Sequence, residues 1–263
     1  GGRARCGVWW GAFGRGGYAG RFIVCACVLC TFCWAALLYD AMAHWVWGVG
    51  GGLRDLGALG FAGGTVIHIL GGVSGLVACI MLGKRSGKGV VPMLPHHLPM
   101  TVLGAALLWF GWFGFNAGGA YAADGLAAYA FTNTTIAGSI AMIVWMLYDW
   151  HYDRKPSFSG VLVGAVAGLA TITPCAGYVE PWAAIIIGAV GSSVSYYAKY
   201  LQVPSGFNDA LEVWLVHCMG GATGALLPAF LASTHIAHVN APVHQVLTQP
   251  LGALTAALVY LLS

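Results

Sequence analysis

Charged residues are scarce in this sequence of 263 residues. Asp, Glu, Lys and Arg together make up 7% of it, whereas a soluble domain carries about 25%. Hydrophobic residues make up 59%, and the mean hydropathy is +0.79. This composition excludes an ordinary soluble domain and predicts a polytopic membrane protein. The net charge of +3 is too small to favour a nucleic-acid partner.

The sequence also lacks the patterns of the common enzyme classes. It has no phosphate-binding glycine loop, no Ser-His-Asp arrangement and no pair of carboxylates inside an apolar run. Several histidines lie in loops without the tight spacing of a metal site, and these are His96, His97, His235, His238 and His244. We therefore expect neither an enzyme nor a cofactor, and a membrane metalloenzyme is the weaker alternative.

Eight apolar segments divide the chain, each close to the ~20 residues that a membrane-spanning helix needs. They cover 22–43, 62–82, 98–118, 127–149, 159–177, 182–199, 211–231 and 243–263. Every Lys and Arg except Arg54 falls before the first segment, in every second loop after it or, for Lys199, at the end of a segment next to such a loop. Because positive residues accumulate on the cytoplasmic side, the N-terminal end, the loops 83–97, 150–158 and 200–210, and the C-terminus are predicted to be cytoplasmic.

One pattern occurs twice inside these segments. His68 to Gly75 and His217 to Gly224 both read H-x-x-G-G-x-[ST]-G. The predicted orientation makes the two copies antiparallel, as the inverted repeats of many transporters are. We therefore predict that segments 62–82 and 211–231 are related by a pseudo-two-fold axis in the membrane plane.

A histidine inside a membrane is costly, and it indicates a functional site with a partner. His68 and His217 lie about 9 Å inside their segments, from opposite sides of the membrane, because a helix rises about 1.5 Å per residue. Their ring nitrogens are predicted to lie about 2.7–3.2 Å apart. Such a pair can pass ammonia or water along, or relay a proton. The alternative is a pair of structural histidines bonded to backbone or hydroxyl groups.

Aromatic residues occur just after the first apolar segment and within the third. Trp47 follows the first segment, where a tryptophan is usually part of an interfacial belt but can also hold a cation. The third segment alternates aromatics and glycines around Trp112 and Phe115, which either pack or close a narrow pore. Asn116 needs a hydrogen-bond partner inside the membrane and predicts a tie between helices.

Six stretches together resemble the ammonium transporter (Amt/Mep/Rh) family, and within it the Amt branch. They are Phe61–His68 (FAGGTVIH), Pro95–Pro99 (PHHLP), Gly111–Gly118 (GWFGFNAG), Lys155–Ser157 (KPS), Thr173–Tyr178 (TPCAGY) and Val216–His217. The resemblance implies an all-α membrane protein with the ammonium-transporter fold, as a single domain over residues 1–263. About eight of eleven helices would be present, with the first three helices and the C-terminal tail cut off. The missing helices predict an exposed apolar groove that includes one face of Phe115.

The resemblance also implies roles for particular residues. His68 and His217 match the family's twin pore histidines, and Trp112 and Phe115 match residues that line the pore. Trp47 matches an outer tryptophan that recruits ammonium by a cation–π contact. The implied substrate is ammonium or ammonia, and the implied location is the cell membrane, crossed several times. The implied partners are two further copies in a homotrimer and, for the full-length protein, a PII-type regulator.

Two positions depart from the family pattern. Gly60 stands where the family has an Asp that favours a cation at the outer mouth, and Gly119 stands where it has a Ser. These departures keep a second hypothesis open, in which the chain is an ammonium sensor or regulatory partner on the same fold. The first hypothesis is transmembrane transport of ammonium or ammonia past the histidine pair.

Overall fold

The structure, a computed structural model, describes residues 23–86, 96–205, 209, 211–237 and 242–262. The N-terminal arginines and Lys88, on which part of the predicted membrane orientation rests, lie outside these residues. The regular secondary structure within them is helical, apart from one isolated antiparallel bridge between Val179 and Ala232. The all-helical prediction is therefore confirmed for the described part of the chain.

We number the α-helices in chain order. They are α1 (Val24–Trp34), α2 (Asp40–Trp47), α3 (Gly52–Asp55), α4 (Leu70–Leu82), α5 (Leu98–Ala117), α6 (Gly125–Asp153), α7 (Phe158–Ile172), α8 (Pro181–Ser205), α9 (Gly220–Leu226), α10 (Pro228–Leu231), α11 (Thr234–Ala237) and α12 (Pro242–Leu262). Three π-helical turns join or precede them at Ala35–Tyr39, Gly64–Ile69 and Trp214–Met219, and a 3-10 turn covers Gly118–Ala120.

Each of the eight predicted apolar segments contains a helix. Among the described residues, five stretches are long and apolar enough to cross a membrane: Val24–Asp55, Gly64–Leu82, Leu98–Ala120, Gly125–Asp153 and Trp214–Leu231. Crossing by all eight segments, and the two-fold relation between two of them, stay predictions.

The fifth predicted segment ends earlier than expected. It was placed at 159–177, but α7 ends at Ile172 and turns follow it. Pro174 explains this end, because proline has no N–H to donate to the carbonyl four residues before it. The carbonyl groups freed here become available to other parts of the chain.

Small residues let α6, α7 and α8 pack closely. A Cβ added at Gly164 would lie 3.0 Å from the carbonyl oxygen of Ala141, and one at Gly188 would lie 2.5 Å from that of Ala137. Carbonyl oxygens of α6 therefore lie almost against the backbones of its two neighbours. Small residues at helix contacts are the usual means of close packing in membranes.

The two helices that carry the histidines cross through a reciprocal pair of glycine contacts. A Cβ at Gly72 would overlap the backbone nitrogen and Cβ of Cys218. A Cβ at Gly221 would lie 2.6 Å from the Cβ of His68 and 3.1 Å from the nitrogen of Ile69. In each case the glycine four residues after one histidine touches the other histidine or its successor. The repeated pattern thus has a direct packing role.

Two helices present mostly apolar side chains at the surface. On α1, Val24 is 78% exposed, and on α5, Phe110 is 75% exposed. Phe115, lower on α5, is half-buried. Such faces suit contact with lipid or with a further segment of a longer protein.

The glycine crossing gives a first prediction. Gly72→Ala should lower the free energy of unfolding by about 1–3 kcal/mol, because the added methyl group overpacks a backbone contact. Gly104→Ala is the matched control, since Gly104 lies on α5 with nothing within 4 Å of an added Cβ. The control should be neutral or stabilising by up to about 1 kcal/mol. Thermal unfolding in detergent measures both, and equal effects would contradict the close crossing.

Candidate functional site

The two repeated histidines meet in the core. Nδ1 of His217 lies 3.2 Å from Nδ1 of His68, and the rings stack with centroids 5.2 Å apart at an interplanar angle of 21°. His68 is fully buried and His217 is 5% exposed. The nitrogen separation lies within the predicted range, so the sequence located this contact correctly.

Both histidines lie within π-helical turns. His68 belongs to Gly64–Ile69, and His217 belongs to Trp214–Met219. A π turn inserts one residue into the helical spacing, so it changes the direction in which the side chains on either side of it point. Turns of this kind are frequent at functional sites. An apolar sequence gives no signal for them, and the sequence reasoning missed them.

Two aromatic side chains surround the pair. Trp112 stacks on His68 at a centroid distance of 5.3 Å and 22°, and on His217 at 6.3 Å and 4°. Phe115 lies 6.2 Å from His68 and stands edge-on to Trp112 at 6.1 Å. Trp112 is buried, while Phe115 is half-buried. The structure therefore brings together four of the five predicted site residues.

Trp112 is held in place by a threonine. Its indole N–H donates to Oγ1 of Thr173 at 2.9 Å, and the hydroxyl of Thr173 donates to the carbonyl of Leu169 at 2.7 Å. Thr173 is fully buried. Sequence reasoning did not assign it a role; a threonine directly before a proline at the end of an apolar run was the available signal.

The fifth predicted residue, Trp47, lies over the turn that precedes the His68 helix. Its indole N–H donates to the carbonyl of Gly60 at 2.7 Å, and its own carbonyl accepts from Arg54 at 2.8 Å. The edge of its ring would lie 3.2 Å from a Cβ at Gly63, which has a φ of +116° that favours glycine.

Backbone hydrogen bonds fasten this outer turn to the end of α7. The N–H of Phe61 donates to the carbonyl of Pro174 at 3.2 Å, and the N–H of Ala62 donates to that of Thr173 at 3.3 Å. These are the carbonyls that the early end of α7 leaves without a helical partner. The end of α7 thus holds both the turn beneath Trp47, through backbone carbonyls, and the indole of Trp112, through the Thr173 hydroxyl.

The two departures from the family pattern lie in different surroundings. A Cβ at Gly60 would meet one atom within 4 Å, in the side chain of Val46 at 3.2 Å. A Cβ at Gly119 would lie 3.0 Å from the ring of Phe61. A larger side chain therefore needs little adjustment at Gly60, whereas at Gly119 it would displace the phenyl ring.

Two buried asparagines tie the surrounding helices together. Asn116 donates to the hydroxyl of Thr134 at 2.9 Å, which confirms the predicted tie from α5 to α6. Asn133 donates to the carbonyls of Ala176 at 2.9 Å and Val179 at 2.7 Å. The second asparagine fixes the turns that follow α7.

A carboxylate from the preceding loop accepts a hydrogen bond at the start of the His217 helix. Oδ2 of Asp209 accepts from the backbone N–H of Trp214 at 2.6 Å. Burial raises the pKa of this carboxyl, while backbone hydrogen bonds such as the one from Trp214 and the charge of Arg85 oppose the rise. Asp209 thus stabilises the helix that positions His217.

The loop histidines do not form a metal centre in the described part of the chain. No group of three or more His, Cys, Asp or Glu side chains there is placed to hold an ion. His97 instead caps α5, accepting at Nδ1 from the N–H of Met100 at 3.0 Å. His238, which was named with the other loop histidines, lies outside the described residues.

A family model described as the Ammonium Transporter Family matches residues 12–262. The chain belongs to this family. It is 46% identical over 222 residues to an ammonium transporter of Bacillus subtilis (strain 168), covering 84% of this chain and 54% of that protein. It is 42% identical over 218 residues to ammonium transporter Amt1 of Archaeoglobus fulgidus, covering 83% of this chain and 55% of that protein.

Solved structures of the same family share the fold. Candida albicans Mep2 superposes with a TM-score of 0.89 at 32% identity, over 94% of this chain and 58% of that one. A structure titled Sensor Amt Protein superposes with a TM-score of 0.84 at 26% identity, over 94% of this chain and 66% of that one. Family membership and the apolar helices make this a multi-pass protein of the cell membrane. The chain spans about half the length of the curated relatives named above.

The asparagine tie gives the second prediction. Asn133→Leu should lower the free energy of unfolding by about 1–3 kcal/mol, because the buried carbonyls of Ala176 and Val179 lose their donor. Thr135→Val is the control, since its hydroxyl bonds only its own helix at the carbonyl of Phe131 and lies at the surface. The control should change stability by less than about 0.5 kcal/mol. Thermal unfolding in detergent compares them, and an unaffected Asn133→Leu variant would contradict the tie.

Proposed function

We propose that this chain forms the conducting part of an ammonium transporter, in which ammonia passes the His68–His217 pair. The observation that carries the proposal is the contact of two buried imidazoles, whose Nδ1 atoms lie 3.2 Å apart. Trp112 stacks beside them. Ionisable side chains inside membrane segments are rare, and they usually mark the path of a solute or a proton. Ammonium transporters at 42–46% identity support the substrate.

The hydrogen-bonding geometry suits a small neutral solute. When both rings are neutral, a contact between two Nδ1 atoms requires that one of them carries a hydrogen and the other does not. The two Nε2 atoms then have opposite character, one an acceptor and one a donor. Ammonia both donates and accepts, so such a pair can bind it at either ring and pass it on.

Recruitment at the outer mouth is assigned to Trp47, whose ring face can attract ammonium by a cation–π contact. Gly60 supplies no carboxylate there, and the guanidinium of Arg54 is bonded to the backbone of Trp47. Ammonium would lose its proton between this mouth and the histidines. The proton either returns outside or is relayed by the imidazoles.

The remaining family features are part of the same proposal. We propose that the chain belongs to a longer protein in which three preceding helices complete the pore and a C-terminal tail follows. That protein would act as a homotrimer with one pore in each copy, and its tail would allow a PII-type regulator to dock. Segments 62–82 and 211–231 would be inverted repeats, which the reciprocal contacts of Gly72 and Gly221 support.

A sensor on the same fold is the second candidate. Gly60 and Gly119 favour it, because the chain lacks both polar side chains that the family pattern places at the mouth. A similar structure is titled Sensor Amt Protein. A fused cytoplasmic signalling domain in the longest reading frame that encodes the chain would favour the sensor.

The histidine pair gives the third prediction. His68→Ala should lower methylammonium uptake at least tenfold, because the desolvated solute loses one of two hydrogen-bonding rings. The variant is expressed from the longest reading frame that encodes the chain, in cells without their own ammonium transporter. His235→Ala, at an exposed site on α11, should leave uptake unchanged. Undiminished uptake in His68→Ala would remove the pair from the mechanism.

The outer mouth gives the fourth prediction. Gly60→Asp should raise uptake at low ammonium, because a carboxylate beside Trp47 favours the cation over neutral ammonia. The added side chain has room, with one close contact at Val46. Uptake is measured in the same cells as above. A parent without uptake that gains it through Gly60→Asp would favour the sensor.

A further inference from the structure

We infer that Thr173 is a positioning residue that keeps the wall beside the histidine pair free of hydrogen-bond donors. It does so by accepting the indole N–H of Trp112, so that the tryptophan presents its ring face to both imidazoles. The inference rests on the proposed function, because it concerns the passage that the histidines would line. Nothing in the sequence patterns or the comparisons assigns a role to this threonine.

The donor and acceptor roles in this contact are fixed. An indole has one N–H and no acceptor, so Trp112 can only donate. The Thr173 hydroxyl has one hydrogen, and it points to the Leu169 carbonyl at 2.7 Å. Its oxygen therefore accepts from Trp112 at 2.9 Å. The one polar group of the tryptophan is used on the side of α7.

The orientation of the indole follows from this anchor. Trp112 lies at 4° to the His217 ring and 22° to the His68 ring, so one flat side chain faces both imidazoles. Trp112 is 3% exposed. A solute beside the imidazoles then finds hydrogen-bond partners on the histidines and only the ring face of the tryptophan.

Without the threonine oxygen, the buried indole N–H loses the acceptor that holds it. Such a donor is costly, so the ring turns or a polar molecule binds to it. Either change places a hydrogen-bonding group beside the histidines, and this group slows the movement of each solute molecule past them. The Thr173 carbonyl, which holds the N–H of Ala62, is backbone and survives a change of side chain. The side-chain role can therefore be tested separately.

Thr173→Val removes the acceptor at nearly constant volume. Methylammonium uptake should show a maximal rate lowered about tenfold, with the half-saturating concentration changed less than threefold, because the defect lies past the outer mouth. Thr173→Ser keeps the oxygen and should stay within twofold of the parent. Thr171→Val is the control: Thr171 is equally buried on α7, and its hydroxyl bonds the carbonyl of Ala167 in the same way. Equal losses in the two valine variants would overturn the inference.

A double-mutant cycle separates positioning from general support. Trp112→Phe removes the donor but keeps an aromatic face, and the uptake of this variant, whatever its level, is the reference for the second step of the cycle. In that background Thr173→Val should have no further effect, because there is no N–H left to hold. A tenfold loss from Thr173→Val in both backgrounds would overturn the inference. If the valine variant does not reach the membrane, Thr173→Ala replaces it, judged against Thr173→Ser in the same way.

The two proposals fail differently. If His68→Ala leaves uptake unchanged, the histidine passage itself is wrong. If His68→Ala abolishes uptake while Thr173→Val matches Thr171→Val, the passage stands and only the positioning role of Thr173 is wrong.

Discussion

The structure depends on burying two imidazoles in an apolar protein. A polar group taken out of water must find a partner inside, and each of these rings finds the other at 3.2 Å. That contact requires two helix backbones to approach very closely. The glycines at 72 and 221 allow it, since a Cβ at either position would overlap the opposite helix. The repeated H-x-x-G-G-x-[ST]-G pattern thus encodes both the polar pair and the crossing that it needs.

The early end of α7 is the second constraint. Because Pro174 stops the helix, carbonyls near it are free to accept from the outer turn, at Phe61 and Ala62. The hydroxyl of Thr173 holds Trp112 against the histidines from the same place. Asn133 then fixes the following turns by binding two more carbonyls. The end of one helix therefore supports both the turn at Phe61 and Ala62 and the tryptophan beside the histidine pair.

Features that come from a repeated pattern or from an uneven distribution of charge could be predicted from the sequence. The histidine pair followed from a repeated pattern, and the eight helical segments followed from apolar runs separated by alternating positive loops. Asn116 was expected to bond across helices, because an amide in a membrane has few other options, and Thr134 accepts from it. Trp47, Trp112 and Phe115 were located through a resemblance, since their spacing alone did not distinguish packing from function.

Other features depend on geometry that an apolar sequence does not record. The π turns around His68 and His217 differ from α-helix by one inserted residue, which leaves no compositional trace. The role of Thr173 depends on which oxygen lies near an indole 61 positions away in the chain. The end of α7 was predicted five residues too late, because the turns after it are as apolar as the helix.

The turn around Trp47 shows how one position can vary while the local structure is kept. Trp47 keeps its place, because its N–H bonds a backbone carbonyl at position 60, which any residue there provides. The side chain at 60 is therefore free to vary without moving the tryptophan, and here it is absent. With Arg54 bonded to the same tryptophan, the mouth has an aromatic face and a guanidinium but no carboxylate at position 60. A cation is held less firmly by such a mouth than by one with a buried acid, whereas neutral ammonia is unaffected. In the proposed function, cation capture and ammonia conduction would thus be separate steps that depend on different residues.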